Sequence, residues 1–122
     1  MYILLMGKEK VQWISLVETS TFIKRVEKLL SADELENIKD FLAQNPAVGD
    51  VIRGSGGIRK VRISSQQKGK SKGARVIYYF YNDQIPLFLL DVYSKSEKID
   101  LTKTELGILK LLVAKMQKDY GG

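Results

Sequence analysis

Apolar positions recur along this chain with two periods, two and about 3.6, and the switches between them mark the elements. Val11-Gln12-Trp13-Ile14-Ser15-Leu16-Val17-Glu18 is rich in β-branched and aromatic types and reads as a strand. Phe22, Val26, Leu29 and Leu30 then share a helical face, which predicts a short helix over 22–30. Ser31-Ala32-Asp33-Glu34 fits a capping box, in which Ser31 accepts from the Glu34 backbone and Glu34 reaches back. The helix it opens carries the stripe Leu35, Ile38, Phe41 and Leu42. It ends at Asn45-Pro46, because a residue before proline is pushed out of helical geometry. Residues 49–57 read as a turn region, with Gly54-Ser55-Gly56-Gly57 at its end.

Three strands are predicted next, over 58–64, 74–81 and 86–93. The short Asn82-Asp83 connection makes the last two a hairpin. A loop over 65–73, rich in Lys, Ser, Gln and Gly, separates the first two. Thr102-Lys103-Thr104-Glu105 is a second capping box, opening a helix over 103–119 whose apolar face is Leu106, Leu109, Val113 and Met116, widened by Ile108, Leu111 and Leu112. Gly107 weakens that helix by roughly 1 kcal/mol relative to Ala. Strands joined by short loops are antiparallel, since parallel ones need a long crossover. The expectation is therefore an α+β domain over residues 11–119, with two N-terminal helices and a C-terminal helix packed on one face of a small antiparallel sheet. Residues 1–10 are expected to be a loose N-terminal extension.

Composition narrows the chemistry. With 122 residues, 44% of them apolar, the chain can bury one modest core. It has no cysteine and no histidine. That inventory excludes thiolate metal sites, zinc hydrolases, Ser-His-Asp hydrolases and histidine-dependent ribonucleases. Any catalysis must use Lys, Arg, Tyr, Asp or Glu, and no cofactor or metal is expected. The apolar run Tyr2-Ile3-Leu4-Leu5-Met6 is too short for a signal peptide or a membrane span, so a cytoplasmic location and no membrane partner are expected.

The net charge of +6 is unevenly placed. Arg59, Lys60, Arg62, Lys68, Lys70, Lys72 and Arg75 lie in a segment without a single acid. The rest of the chain holds 13 basic and 14 acidic residues, so the whole surplus sits in one strand–loop–strand unit. Strand alternation puts Lys60, Arg62 and Ser64 on one face and Val61 and Ile63 on the other. A basic sheet face below a basic loop suits a phosphate backbone. Tyr93, which ends a strand beside Ser94-Lys95, is the best candidate for stacking on a base.

These residues also carry a family pattern. The stretch from Leu42 to Arg62, with Asn45-Pro46, Gly49-Asp50, Gly56-Gly57 and Arg59-Lys60-Val61-Arg62, resembles the RelE/HigB superfamily of toxins, nearest its HigB-like subgroup. Gly69-Lys70-Ser71-Lys72-Gly73-Ala74-Arg75-Val76-Ile77-Tyr78-Tyr79 is similar to a second signature of that superfamily, and Tyr93-Ser94-Lys95-Ser96-Glu97 to a third. The likeness spans about residues 11–118. It implies a microbial ribonuclease-like fold. It also implies a toxin of a toxin–antitoxin pair that cuts translated mRNA in the ribosomal A site. The implied partners are that mRNA, the 16S rRNA around the A site and a cognate antitoxin, often a helix-turn-helix protein, through which operator DNA is reached. The resemblance places catalytic roles at Lys60, Arg62 and Arg75. The family's C-terminal arginine and its Tyr or His have no counterpart here, and Tyr93 and Lys95 are the nearest substitutes.

In such a reaction Arg62 and Arg75 would stabilise charge developing on the phosphate, and Lys60 or Lys95 would serve as general base. Arg59, Lys68, Lys70, Lys72 and Tyr93 would hold RNA. Two other functions fit less of the pattern. ParE-type toxins of the same superfamily act on DNA gyrase, and a non-catalytic RNA-binding module needs only the charge.

Overall fold

The computed structural model describes residues 2–6, 9–64, 73–95, 97–98 and 100–120. Its elements run β1 (Tyr2–Met6), β2 (Glu9–Trp13), β3 (Leu16–Glu18), α1 (Ser20–Leu29), α2 (Ala32–Gln44), β4 (Asp50–Val51), β5 (Ile58–Ile63), β6 (Ala74–Tyr79), β7 (Leu87–Ser94) and α3 (Lys103–Asp119). The fold is α+β, as the sequence implied. Strands β3-β7-β6-β5-β4 form one sheet, and β1 and β2 form a separate antiparallel pair. The N-terminal extension therefore takes up strand structure through residues 2–6 and 9–13. The strand expected over 11–18 is split into β2 and β3.

All three helices begin at side-chain caps. Thr19 accepts from Phe22 N at 3.2 Å, so α1 begins at Ser20, two residues ahead of its expected start. Both capping boxes are closed. Glu34 N donates to Ser31 Oγ at 3.1 Å, and Glu105 N donates to Thr102 Oγ1 at 3.1 Å. In return, the Ser31 and Thr102 backbone N–H groups each donate to the glutamate side chain at 2.9 Å.

Two features correct the sequence reading. The sheet is mixed, because β3 runs parallel to β7, with Leu16 opposite Leu87 and Glu18 opposite Leu89. The long connection from β3 to β7, through α1, α2 and β4–β6, makes that possible. Second, the helices do not share one face. On β6, Val76 and Tyr78 turn toward a core with Phe22, Val26, Ile38 and Leu42 from α1 and α2. Ile77 and Tyr79 turn the other way, into a second core with Leu109 and Val113 of α3. The central strands are thus buried on both sides, which explains why β6 and β7 read as nearly continuous apolar runs.

Candidate nucleic-acid interface

The turn before β5 sets the strand's register. Gly54, Gly56 and Gly57 all have positive φ, at 74°, 76° and 111°. Between them the buried Ser55 accepts at Oγ from Ile58 N at 2.9 Å and from Gly57 N at 3.2 Å. From there β5 alternates. Val61 and Ile63 join the α1/α2 core, and Ile58 joins the α3 core. Lys60 and Arg62 follow Ile58 onto the α3 side of the sheet. On β6, Arg75 shares the side of Ile77 and Tyr79.

The antiparallel ladder brings these residues together. Arg62 is directly opposite Arg75, and Arg75 is directly opposite Tyr93 on β7. Lys60 lies two residues along from Arg62, opposite Ile77. Helix α3 shares its core with Ile58, Ile77, Phe88 and Tyr93, so Arg75 stands beside the edge of that core and Arg62 one strand further out. Arg62 is exposed, and Lys60 and Arg75 are half-buried. Among the described residues no acidic side chain pairs with Arg62 or Arg75. The Arg75 Nε is buried without a hydrogen-bond partner among them. Two like charges opposed across a ladder oppose folding, so the arrangement suits an anion supplied from outside the chain.

Lys60 does have a partner. Its Nζ lies 3.4 Å from Asp100 Oδ2, and the Tyr93 hydroxyl approaches Asp100 Oδ1 at 3.5 Å. Burial alone would raise the Asp100 pKa. The Leu101 backbone N–H and the Lys60 ammonium outweigh burial and hold it below the ordinary carboxylate range. The Tyr93 hydroxyl is pushed up to about 12, first by burial and then by the Asp100 charge, with Arg75 opposing. It therefore stays protonated at neutral pH and donates a hydrogen bond to Asp100. Sequence reasoning missed Asp100. Only the return of the chain after β7 places it by Lys60, and no motif marks it.

Other sequence candidates separate from this group. Tyr93 is 0% exposed, its ring in the α3 core with Lys98 Nζ 5.2 Å from its centroid, so it offers no open face to a base. Arg59 alternates to the opposite side of β5 from Lys60. It donates to Gly49 O at 2.7 Å and Ala47 O at 3.1 Å, bracing the 46–49 turn rather than facing solvent beside Arg62. Lys95 is exposed in the turn that follows β7, at the strand ends where Arg62 and Arg75 sit. Lys98 is tied to Glu105. Lys68, Lys70 and Lys72 lie outside the described residues. Among the described residues no group of three His, Cys, Asp or Glu side chains could hold a metal ion. Nor is any helix long and apolar enough to cross a membrane.

The chain is similar to the structure of an E. coli toxin RelE mutant, with two arginines changed to alanine, in the free state. The TM-score is 0.54 at 18% sequence identity, covering 71% of this chain and 88% of that one. At that identity the likeness establishes a RelE-like fold. No family model matches the chain.

Proposed function

We propose that this chain is the toxin of a toxin–antitoxin pair and a ribosome-dependent mRNA endonuclease that works without a metal. The observation that carries the reading is the Arg62–Arg75 cross-strand pair, with Lys60 beside it, on a RelE-like sheet. Two guanidinium groups without acidic partners among the described residues match the oxygens of one phosphodiester. The RNA 2′-hydroxyl loses its proton to the general base and attacks the adjacent phosphorus. The P–O5′ bond breaks, leaving a 2′,3′-cyclic phosphate and a 5′-hydroxyl that takes up a proton, and both arginines stabilise the charge that grows on the phosphate. Lys60, held beside Asp100, or Lys95 in the turn after β7 serves as the general base. Lys68, Lys70 and Lys72 grip the RNA backbone or 16S rRNA without reading sequence. The low intrinsic acid–base power of this set fits an enzyme whose substrate is oriented by the ribosome, where positioning lowers the barrier by several kcal/mol. The protein acts in the cytoplasm, and a cognate antitoxin restrains it.

The test is Arg75→Ala. The substitution should abolish growth arrest on induction while the protein still co-sediments with ribosomes. Growth arrest that survives Arg75→Ala refutes the nuclease assignment. Arrest that tracks loss of gyrase supercoiling would point to the ParE-type activity instead.

A further inference from the structure

We propose that the outer face of α3 is the docking surface for an acidic amphipathic helix of the cognate antitoxin. The inference rests on the toxin–antitoxin reading above and concerns a surface that reading does not use. Leu106, Leu109, Leu112, Val113 and Met116 turn α3 onto the sheet. The opposite side of the helix is also apolar at its centre. Ile108 is 61% exposed and Leu111 75% exposed. Helical spacing continues this stripe into Lys115 and Lys118, with Gly107, Lys110 and Ala114 beside it. All of these residues are exposed.

Gly107 adds an independent sign. A glycine inside a helix costs about 1 kcal/mol against alanine. A Cβ built at Gly107 would meet nothing within 4 Å, so no packing inside this chain requires its absence. A bare backbone next to Ile108 and Leu111 allows another helix to approach closely.

Charge selects the occupant. Lys103, Lys110, Lys115 and Lys118 are exposed, and among the described residues none of them has an ion pair. The acid of the helix's first turn, Glu105, is already engaged by Lys98. A second copy of this chain would set lysines against lysines. RNA would answer the charges but leave Ile108 and Leu111 facing phosphates and sugars. A helix with apolar residues at i, i+3 and i+7, flanked by Asp and Glu, satisfies both parts of the surface.

The experiment titrates the full chain with the protein product of the adjacent reading frame by calorimetry. It compares wild type with the double variants Ile108→Ser/Leu111→Ser and Lys110→Glu/Lys118→Glu. All four positions are exposed, so far-UV circular dichroism should be unchanged. Each double variant should weaken Kd by roughly tenfold or more, the lysine pair more at low salt. Wild-type binding with an unchanged Kd for Ile108→Ser/Leu111→Ser overturns the docking surface and leaves the toxin–antitoxin reading standing. No binding to wild type overturns both. If only the lysine variant loses affinity, and a 20-nucleotide RNA loses it in parallel, the surface belongs to nucleic acid and the proposal fails.

Discussion

Replacing Arg62 with threonine should stabilise the protein, the reverse of what most substitutions do. Arg62 and Arg75 are opposed residues of the β5–β6 ladder, and no carboxylate among the described residues compensates them. Directly opposed like charges destabilise a strand pair by about 0.2–1 kcal/mol. Arg62 is exposed, so solvent and salt screening keep the gain toward the middle of that range, about 0.5 kcal/mol. Threonine fits a strand and leaves no buried group without a partner. A gain of that size raises Tm by roughly 2 °C for a domain of this length. The measurement is thermal unfolding followed by circular dichroism at low and high sodium chloride, with and without sulfate. Wild type should gain stability with sulfate, because an anion seated between the arginines binds only the folded state. The variant should start higher and respond less, and the gap should close as chloride screens the pair. An Arg62→Thr protein that melts below wild type at low salt would mean that Arg62 supports the fold, and the account of an intrinsically opposed pair would be wrong.

Further consequences follow from other contacts. Tyr78 is fully buried; its hydroxyl accepts from Gly49 N at 2.7 Å and donates to Pro46 O at 2.9 Å. Tyr78→Phe should therefore cost about 2–3 kcal/mol, by orphaning a buried N–H, and lower the urea midpoint without changing its slope. Gly73→Ala should cost at least about 2 kcal/mol, because φ is +64° and the new Cβ would run into the Ile63 carbonyl oxygen; a Tm within a degree of wild type would contradict the turn geometry. Glu105 is held below the ordinary carboxylate value by the Lys98 side chain and the Thr102 N–H, and Asp100 is lowered as well. Groups with depressed folded-state pKa values contribute stability above their unfolded values, 4.5 and 3.8, and lose it as pH falls through the lower folded values. Asp100→Asn with Glu105→Gln should thus flatten the acid limb of the stability profile below about pH 4.5 and leave its neutral-to-alkaline part parallel to wild type.

The helices were legible because their starts are written locally. Ser31 with Glu34, and Thr102 with Glu105, form the expected capping boxes within four residues of chain. Strand alternation likewise put Lys60 and Arg62 on one face, where the structure has them. What the sequence did not carry depends on distant chain segments. The apolar stripe of α3 requires burial but does not say which side of the sheet it covers, and both sides of β6 were apolar enough to receive it. The parallel pairing of β3 rests on three half-buried residues, too few for a distinct pattern. Tyr93 stands opposite Arg75, yet its suitability for stacking depended on what lay above it, and α3 with Lys98 occupies that space. Arg59 looked like one more cation in a basic run. Its face of the strand, and the carbonyls of Ala47 and Gly49, make it a brace. Asp100 is 40 residues from Lys60, and nothing in its neighbourhood distinguished it from an ordinary loop acid.

The most direct measurement is primer extension on one mRNA supplied to purified protein in two forms, translated by ribosomes and blocked from initiation. The account predicts discrete cuts within the reading frame of the translated form, absent from the blocked form and absent with Arg75→Ala. Equal cutting of both forms, or identical cuts by the variant, would contradict a ribosome-dependent nuclease built on the Arg62–Arg75 pair.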